Sequence, residues 1–382
     1  MFPYDYAKVR FDPETPSMWR YRDLLPVGAP EHEVSLGEGM TPLILSRLGL
    51  GCELWLKDEG RNPTGSMKDR ALSVAVSAAR AAGKQRVIIA STGSAGMAAA
   101  AYAARAGMQC LVLVPKPTAR ERPVVMAALG AQVLEVSASF EELTEVIAAA
   151  RRCGWEELTT YRKANPFQAE GPKTIAYELV ERLGDAPEAV VVPVGGGGTL
   201  GAIWRGFKDL KIMGRISRLP RMIGVQNRFF NALQIAMERG LQTEEAIIAL
   251  GLDPSVQVIT RNLKHSFPHD SLEALQALRE SDGAVFAFSD EEAVQAQVDV
   301  SRTDGVFCEP SSAITLAAVR KMAESGLVGP KSRVVAVLSG SGLREVQTAL
   351  ETIRPAIPSI SLSEAFTKVE TRLGPAEESY GT

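Results

Sequence analysis

The sequence predicts an α/β fold of open, mostly parallel sheets flanked by helices, arranged as two domains. Three observations carry that expectation. Short β-branched runs alternate with segments of helical period through the middle of the chain. Glycines fall at the strand-to-helix junctions, where positive φ or close backbone approach is needed. A chain of 382 residues is also long enough for two compact units.

The elements follow in order. RVIIAST (86–92) leads into AGMAAAAYAARAG (95–107), QCLVLVP (109–115) into RPVVMAALG (122–130), and AQVLEVS (131–137) into FEELTEVIAAARRCG (140–154). This βαβαβα series marks residues 83–162 as a small α/β domain, with 1–82 and 163–382 forming the large one. A second series starts with a helix at PKTIAYELVERLG (172–184). Strands follow at AVVVPV (189–194), RMIGVQ (221–226) and, near the end, SRVVAVLSGSG (332–342). In open α/β sheets, junctions at the strand C-termini form the ligand crevice.

Composition narrows the function classes. A net charge of -3 offers no basic face for nucleic acid, and no apolar run is long enough to span a bilayer. The start, MFPYDYAKVRFDPETP, lacks the apolar core of a secretion signal, so a cytoplasmic location is expected. The four cysteines have no CxxC spacing and the three histidines no metal-ligand spacing, so no metal site is expected.

Five short stretches carry chemistry. GGGGTLG, Gly195 to Gly201, lies between an apolar strand and a helix, and its N–H groups can converge on a phosphate at the helix start. Its spacing is not GxxxxGK[ST], which speaks against nucleoside triphosphates. STGSAG, Ser91 to Gly96, suits either a carboxylate held by Ser91, Thr92 and the main chain or simple N-capping. LSGSG (338–342) either turns the chain or points Ser339 into the crevice. CEPSSA (308–313), with Glu309 and Ser311, reads as a helix start and no more. Lys68, in NPTGSMKDR (62–70), stands at a helix start, where a cation is unfavourable. A lysine that favours its neutral form becomes a nucleophile toward an aldehyde. A phosphate cup with such a lysine matches the needs of pyridoxal phosphate.

In this order and context the pieces resemble the fold-type II pyridoxal-phosphate enzymes, most closely threonine synthases of the tryptophan synthase β superfamily. The likeness runs from MWRYRDLLPV (18–27) to the LREVQTAL helix and includes LKDEGRNPTGSMKDR (56–70), ASTGSAGMAAAAYAARAGM (90–108), ANPFQAEGPKTIAYELV (164–180) and VPVGGGGTLGAIWRGFKDL (192–210). The resemblance implies that Lys68 forms the Schiff base and that Gly195, Gly196, Gly197, Gly198 and Thr199 hold the cofactor phosphate. It implies that Ser339 faces the pyridine nitrogen and that Ser94 stands where the family has an asparagine near the ring's 3-oxygen. Ser91, Thr92, Ser66, Arg122 and Gln168 fall in the implied substrate set. A homodimer is implied too, with a small domain that closes over an amino-acid substrate.

Three departures bear on the substrate. Ser94 replaces the asparagine, and Ser341 replaces the imidazole or amide of the usual TGHGLK or TGNGLK ending. Gln168, in ANPFQAEG, replaces the arginine of NPxRLEG, and a neutral amide is no bidentate phosphate clamp. Arg122 keeps some positive charge where a family lysine is expected, and Arg162 is an added cation. The function expected is therefore a threonine synthase-like conversion of O-phosphohomoserine to threonine and phosphate, or of a diverged substrate. The alternative on the same scaffold is a β-eliminating or β-replacing enzyme, such as a serine/threonine ammonia-lyase or a cysteate or cysteine synthase. A non-catalytic binding protein is the lesser alternative, and retention of Lys68 speaks against it.

Overall fold

The computed structural model describes residues 2–116, 121–138, 140–266, 268–353 and 359–373. The chain divides into two compact units, Met1–Val346 and Gln347–Thr382. The first unit holds two sheets. Strands β1 (Leu43–Leu45) and β2 (Glu53–Asp58) open the larger one; β3 (Arg86–Ala90), β4 (Gln109–Pro115), β5 (Gln132–Val136) and β6 (Glu156–Glu157) make the smaller. The larger sheet is completed by β7 (Ala189–Pro193), β8 (Arg221–Asn227), β9 (Ala284–Phe288) and β10 (Arg333–Leu338). Its order is β1-β2-β10-β7-β8-β9, and that of the four-stranded sheet is β5-β4-β3-β6. Only the β1–β2 pairing is antiparallel among the described strands.

The α/β expectation holds, and its physical basis is visible in β7. Every residue of AVVVP is buried, the mark of a parallel strand covered on both faces. One face carries α5 (Thr174–Leu183) and α6 (Gly198–Ile212), and the other α10 (Asp290–Asp304) and α11 (Pro310–Glu324). Before these come α1 (Lys68–Ala81), α2 (Ser94–Ala106), α3 (Glu121–Ala128) and α4 (Phe140–Arg152); between them lie α7 (Ala232–Arg239), α8 (Glu244–Ile248) and α9 (Ser271–Glu280). The alanine run of α2 is buried against α1, which small side chains allow at close approach. A capping box fixes the start of α10: Ser289 Oγ accepts from Glu292 N, while the Glu292 side chain accepts from Ser289 N. The C-terminal region carries α12 (Val346–Thr352) and α13 (Leu362–Leu373).

The strands expected from β-branched runs all form, with ends displaced by a residue or two except in β10, which stops at Leu338, four residues before the end of the 332–342 stretch. β1, β2, β6 and β9 are additions. ELWLKD of β2 carries charges at both ends of its run, and AVFAF of β9 is short and half-buried, so neither stands out as an apolar stretch. In the larger sheet β2, β10, β7 and β8 point the same way, so their C-terminal ends share one edge. The turn to Lys68, the loop after Ser339 and the glycine run all leave from that edge.

Candidate active site

The turn that carries Lys68 is tied to the end of β10 before α1 begins. Met67 N donates to Ser339 O at 2.9 Å, and Ser341 N donates to Gly65 O at 2.9 Å. Lys68 is the first residue of α1 and half-buried, with Nζ 3.4 Å from Thr160 Oγ1. Burial lowers its pKa, while the Asp270 carboxylate pulls the other way.

Buried charge anchors the helix start from behind. Arg70 is fully buried and donates to Glu59 at 2.7 and 2.8 Å and to Glu178 at 2.5 Å. Glu178 also takes Lys57 Nζ at 2.5 Å. Removing one member of such a cluster leaves a charge stranded in low dielectric, which holds this start in place.

The glycine run forms a cradle. Gly197 has φ +98°, which turns the chain from β7 into α6. A Cβ at Gly195 would lie 2.6 Å from His265 Cδ2 and 2.7 Å from Asn262 O, and one at Gly198 would run into Asp270 Oδ2. The N–H groups of Gly195, Gly196 and Gly197 have no backbone partner among the described residues. They are free donors at a helix start, the arrangement an anion requires. Asp270 closes one side: its N–H donates to Gly196 O at 2.8 Å, and its Oδ1 accepts from Arg162 N at 2.9 Å. Burial raises its pKa, while the Arg162 N–H, Lys68 and Arg205 pull it back down. The His265 imidazole, pushed down to about 4 by burial and then by His269 and Lys68, is neutral near pH 7.

Ser339 Oγ donates to Glu309 Oε1 at 3.2 Å and lies 2.9 Å from Ser312 Oγ. Asn262 Nδ2 donates to Glu309 Oε2 at 2.8 Å. Burial and then Glu345 raise the pKa of Glu309. Ser91 Oγ accepts from Gly93 N at 3.2 Å and Gly96 N at 3.0 Å, which shapes the loop ahead of α2. Ser94 Oγ accepts from Arg344 Nη2 at 3.1 Å.

These groups surround one cavity of about 630 Å³, room for a cofactor with a small substrate. Lys68, Ser66, Ser91, Thr92, Ser94, Gln168, Gly195, Gly196, Gly197, Gly198, Thr199 and Ser339 all line it. Arg122 does not. Its guanidinium stands against Gly93 and is ion-paired with Glu345. Arg162 pairs with Glu273 at 3.3 Å.

The cavity wall also contains Thr159, Thr160, Asn262, His265 and Asp270, which sequence reasoning did not single out, and Glu309, read only as a helix start. Thr159 Oγ1 is buried without a hydrogen-bond partner among the described residues. Asn262 lies in a single short 3-10 turn (Arg261–Leu263), and His265 and Asp270 lie outside regular elements, so no periodicity marks them as inward-facing. A signal for Glu309 existed in hindsight: a charged residue just before a buried helix N-terminus needs partners. Among the described residues no group of three or more His, Cys, Asp or Glu is arranged to hold a metal ion.

Comparison with known proteins places this geometry. The family model described as pyridoxal-phosphate dependent enzyme matches residues 34–340. The chain is 33% identical over 360 residues to a threonine synthase of Methanosarcina acetivorans, covering 91% of this chain and 86% of that protein. It is 37% identical over 347 residues to a threonine synthase of Mycobacterium tuberculosis, covering 89% and 91%. Among solved structures, the processed form of threonine deaminase isoform 2 from Solanum lycopersicum shares the fold with a TM-score of 0.69 at 19% identity, over 89% of this chain and 96% of that one.

Proposed function

The chain belongs to the pyridoxal-phosphate-dependent enzyme family as a threonine synthase-like member, and from that premise we propose that Lys68 is the residue that binds the cofactor aldehyde. One observation carries the reading: a half-buried amine shares a cavity with an open glycine cradle. The residues fit the group. Lys68 has its proton affinity lowered by burial, Gly195 to Gly198 and Thr199 present amides for a phosphate, and Ser339 offers a hydroxyl for the ring nitrogen. When bound, pyridoxal phosphate withdraws electrons from the α-carbon of an amino acid, the chemistry that elimination and replacement need.

The chain's own groups supply the rest. Lys68 as a free amine takes or returns a proton at the substrate α-carbon. The Ser91–Ser94 loop and the start of α2 receive the substrate carboxylate, where main-chain N–H groups and the helix dipole favour an anion. Glu309 and Ser312 fix the Ser339 hydroxyl, so a neutral oxygen rather than a carboxylate meets the ring. Residues 83–162 act as the small mobile domain against 1–82 and 163–382, in a cytoplasmic homodimer.

The reaction assigned first is conversion of O-phosphohomoserine to threonine and phosphate. A second reading, β-elimination or β-replacement on a smaller amino acid, draws on Gln168 and Arg122. The cavity has a neutral amide at 168, and the nearby arginine is already committed to Glu345. A panel of O-phosphohomoserine, O-phosphoserine, serine and threonine, scored for phosphate, keto acid and new amino acid, separates the two. Threonine with equimolar phosphate from the first substrate supports the first reading; keto acid from serine or threonine, with no threonine made, supports the second.

A further inference from the structure

We infer that Arg344 is a positioning residue that acts through the Ser94 hydroxyl on the phenolic oxygen of the bound cofactor, weakening the grip on the proton held between that oxygen and the Lys68 nitrogen. This rests on the assignment of Lys68 and the glycine cradle above. In pyridoxal phosphate the phenolic oxygen and the phosphate arm flank the aldehyde carbon on opposite sides. With the aldehyde at Lys68 and the phosphate at Gly195 to Gly198, the phenolic oxygen falls away from the cradle. Ser94 lines the same cavity and is not part of the cradle.

The contacts of Arg344 favour this role. Its Nη2 donates to Ser94 Oγ at 3.1 Å, which leaves the serine O–H free to donate into the cavity. Its other contacts are weak: Nη1 lies 3.5 Å from Gly65 O and Nη2 3.5 Å from Met97 Sδ. Its Nε is buried and has no hydrogen-bond partner among the described residues. No carboxylate lies within 4.0 Å of the guanidinium among those residues, although four charged or titratable groups face it. Glu309 is engaged by Ser339 and Asn262, Glu345 by Arg122, and Asp69 by Thr64. A guanidinium with no close ion-pair partner among the described residues therefore stands directly behind the hydroxyl, with Glu309, Glu345 and Asp69 acting on it only at longer range. An asparagine at position 94 would make its own contact from a neutral amide; here a serine relays a full positive charge. That charge stabilises the ionised oxygen and disfavours the neighbouring proton. Asp270 and His265, which act on or are acted on by Lys68, are left unaltered in the variants below.

The test is the pH midpoint of the absorbance change of the lysine-linked cofactor in the purified holoenzyme. Arg344→Met should raise the midpoint by about one unit, the usual effect of one nearby charge, and Arg344→Lys should recover most of that shift. Ser94→Ala should raise it in the same direction, and Arg344→Met with Ser94→Ala should do no more than the larger single change. Ser94→Ala keeps the inference testable if Arg344→Met does not fold. A normal cofactor band with unmoved midpoints in Arg344→Met or Ser94→Ala, or strictly additive shifts, overturns the inference and leaves the Lys68 assignment standing. Absence of any lysine-dependent band in the unaltered protein overturns both.

Discussion

Ser339 donates from Oγ to Glu309 Oε1 over 3.2 Å, so the hydroxyl that faces the cavity is backed by a buried carboxyl. The pair ties the end of β10 to the start of α11, two elements that are 30 residues apart in sequence at this contact. Ser339→Ala removes the ring-nitrogen partner and leaves Glu309 short of one donor. We expect cofactor affinity to fall by about 1–3 kcal/mol, or roughly 5- to 150-fold. Titration of apoprotein with pyridoxal phosphate, followed by absorbance, measures it, and unchanged affinity would remove Ser339 from the site.

The cradle admits no side chain at its first glycine. A Cβ at Gly195 would press on His265 Cδ2 at 2.6 Å and Asn262 O at 2.7 Å. Gly195→Ala should therefore weaken cofactor binding by about tenfold or more, about 1.4 kcal/mol, and lower the apoprotein melting temperature as well, because the clash with Asn262 O does not depend on the cofactor. The same titration, run beside a thermal melt, separates a damaged cradle from a damaged fold.

The charge cluster behind Lys68 sets an acid limit on stability. Burial alone would raise the Glu178 pKa, but Arg70 and Lys57 overcome it and hold the carboxyl down at about 2. A carboxyl held below its unfolded value of about 4.3 contributes stability above that pH, and the contribution is lost as pH falls toward about 2. Glu178→Gln should destabilise by about 3–5 kcal/mol at pH 7, because Arg70 and Lys57 stay buried with less compensation. Urea unfolding at pH 7 and at pH 3 should show the gap between variant and parent shrinking at the lower pH.

Gln168 is 5% exposed and lines the cavity, where a phosphorylated substrate would call for a cation. Gln168→Arg supplies a planar fork that can grip phosphate in two places. On the phosphate reading kcat/KM for O-phosphohomoserine rises by about tenfold, the worth of one charge-assisted bond, while that for serine does not. Steady-state kinetics on both substrates check it. Equal effects on the two would deny position 168 a role in phosphate recognition.

Much of the site was legible because its pieces obey local rules. Four glycines between an apolar strand and a helix, and a lysine at a helix start, each violate an ordinary preference, and such violations stand out in one dimension. In the larger sheet β7, β8 and β10 showed as continuous apolar runs because they are buried on both faces. Other parts are written only in tertiary contact. Glu309 meets Ser339, and Arg344 meets Ser94, across 30 and 250 residues of sequence. His265 reaches the cradle from an irregular stretch with no periodicity to reveal its direction. Arg122 shows the limit from the other side: its charge is plain in the sequence, but only the fold reveals that Glu345 neutralises it.

The central claim is that Lys68 carries the cofactor. Reduction of the holoenzyme with borohydride, followed by proteolysis and peptide mass spectrometry, tests it at the level of one atom. The account predicts a single pyridoxyl adduct on the peptide containing Lys68, absent when Lys68→Ala protein is treated alike. An adduct on another lysine, or none on protein saturated with pyridoxal phosphate, would contradict it.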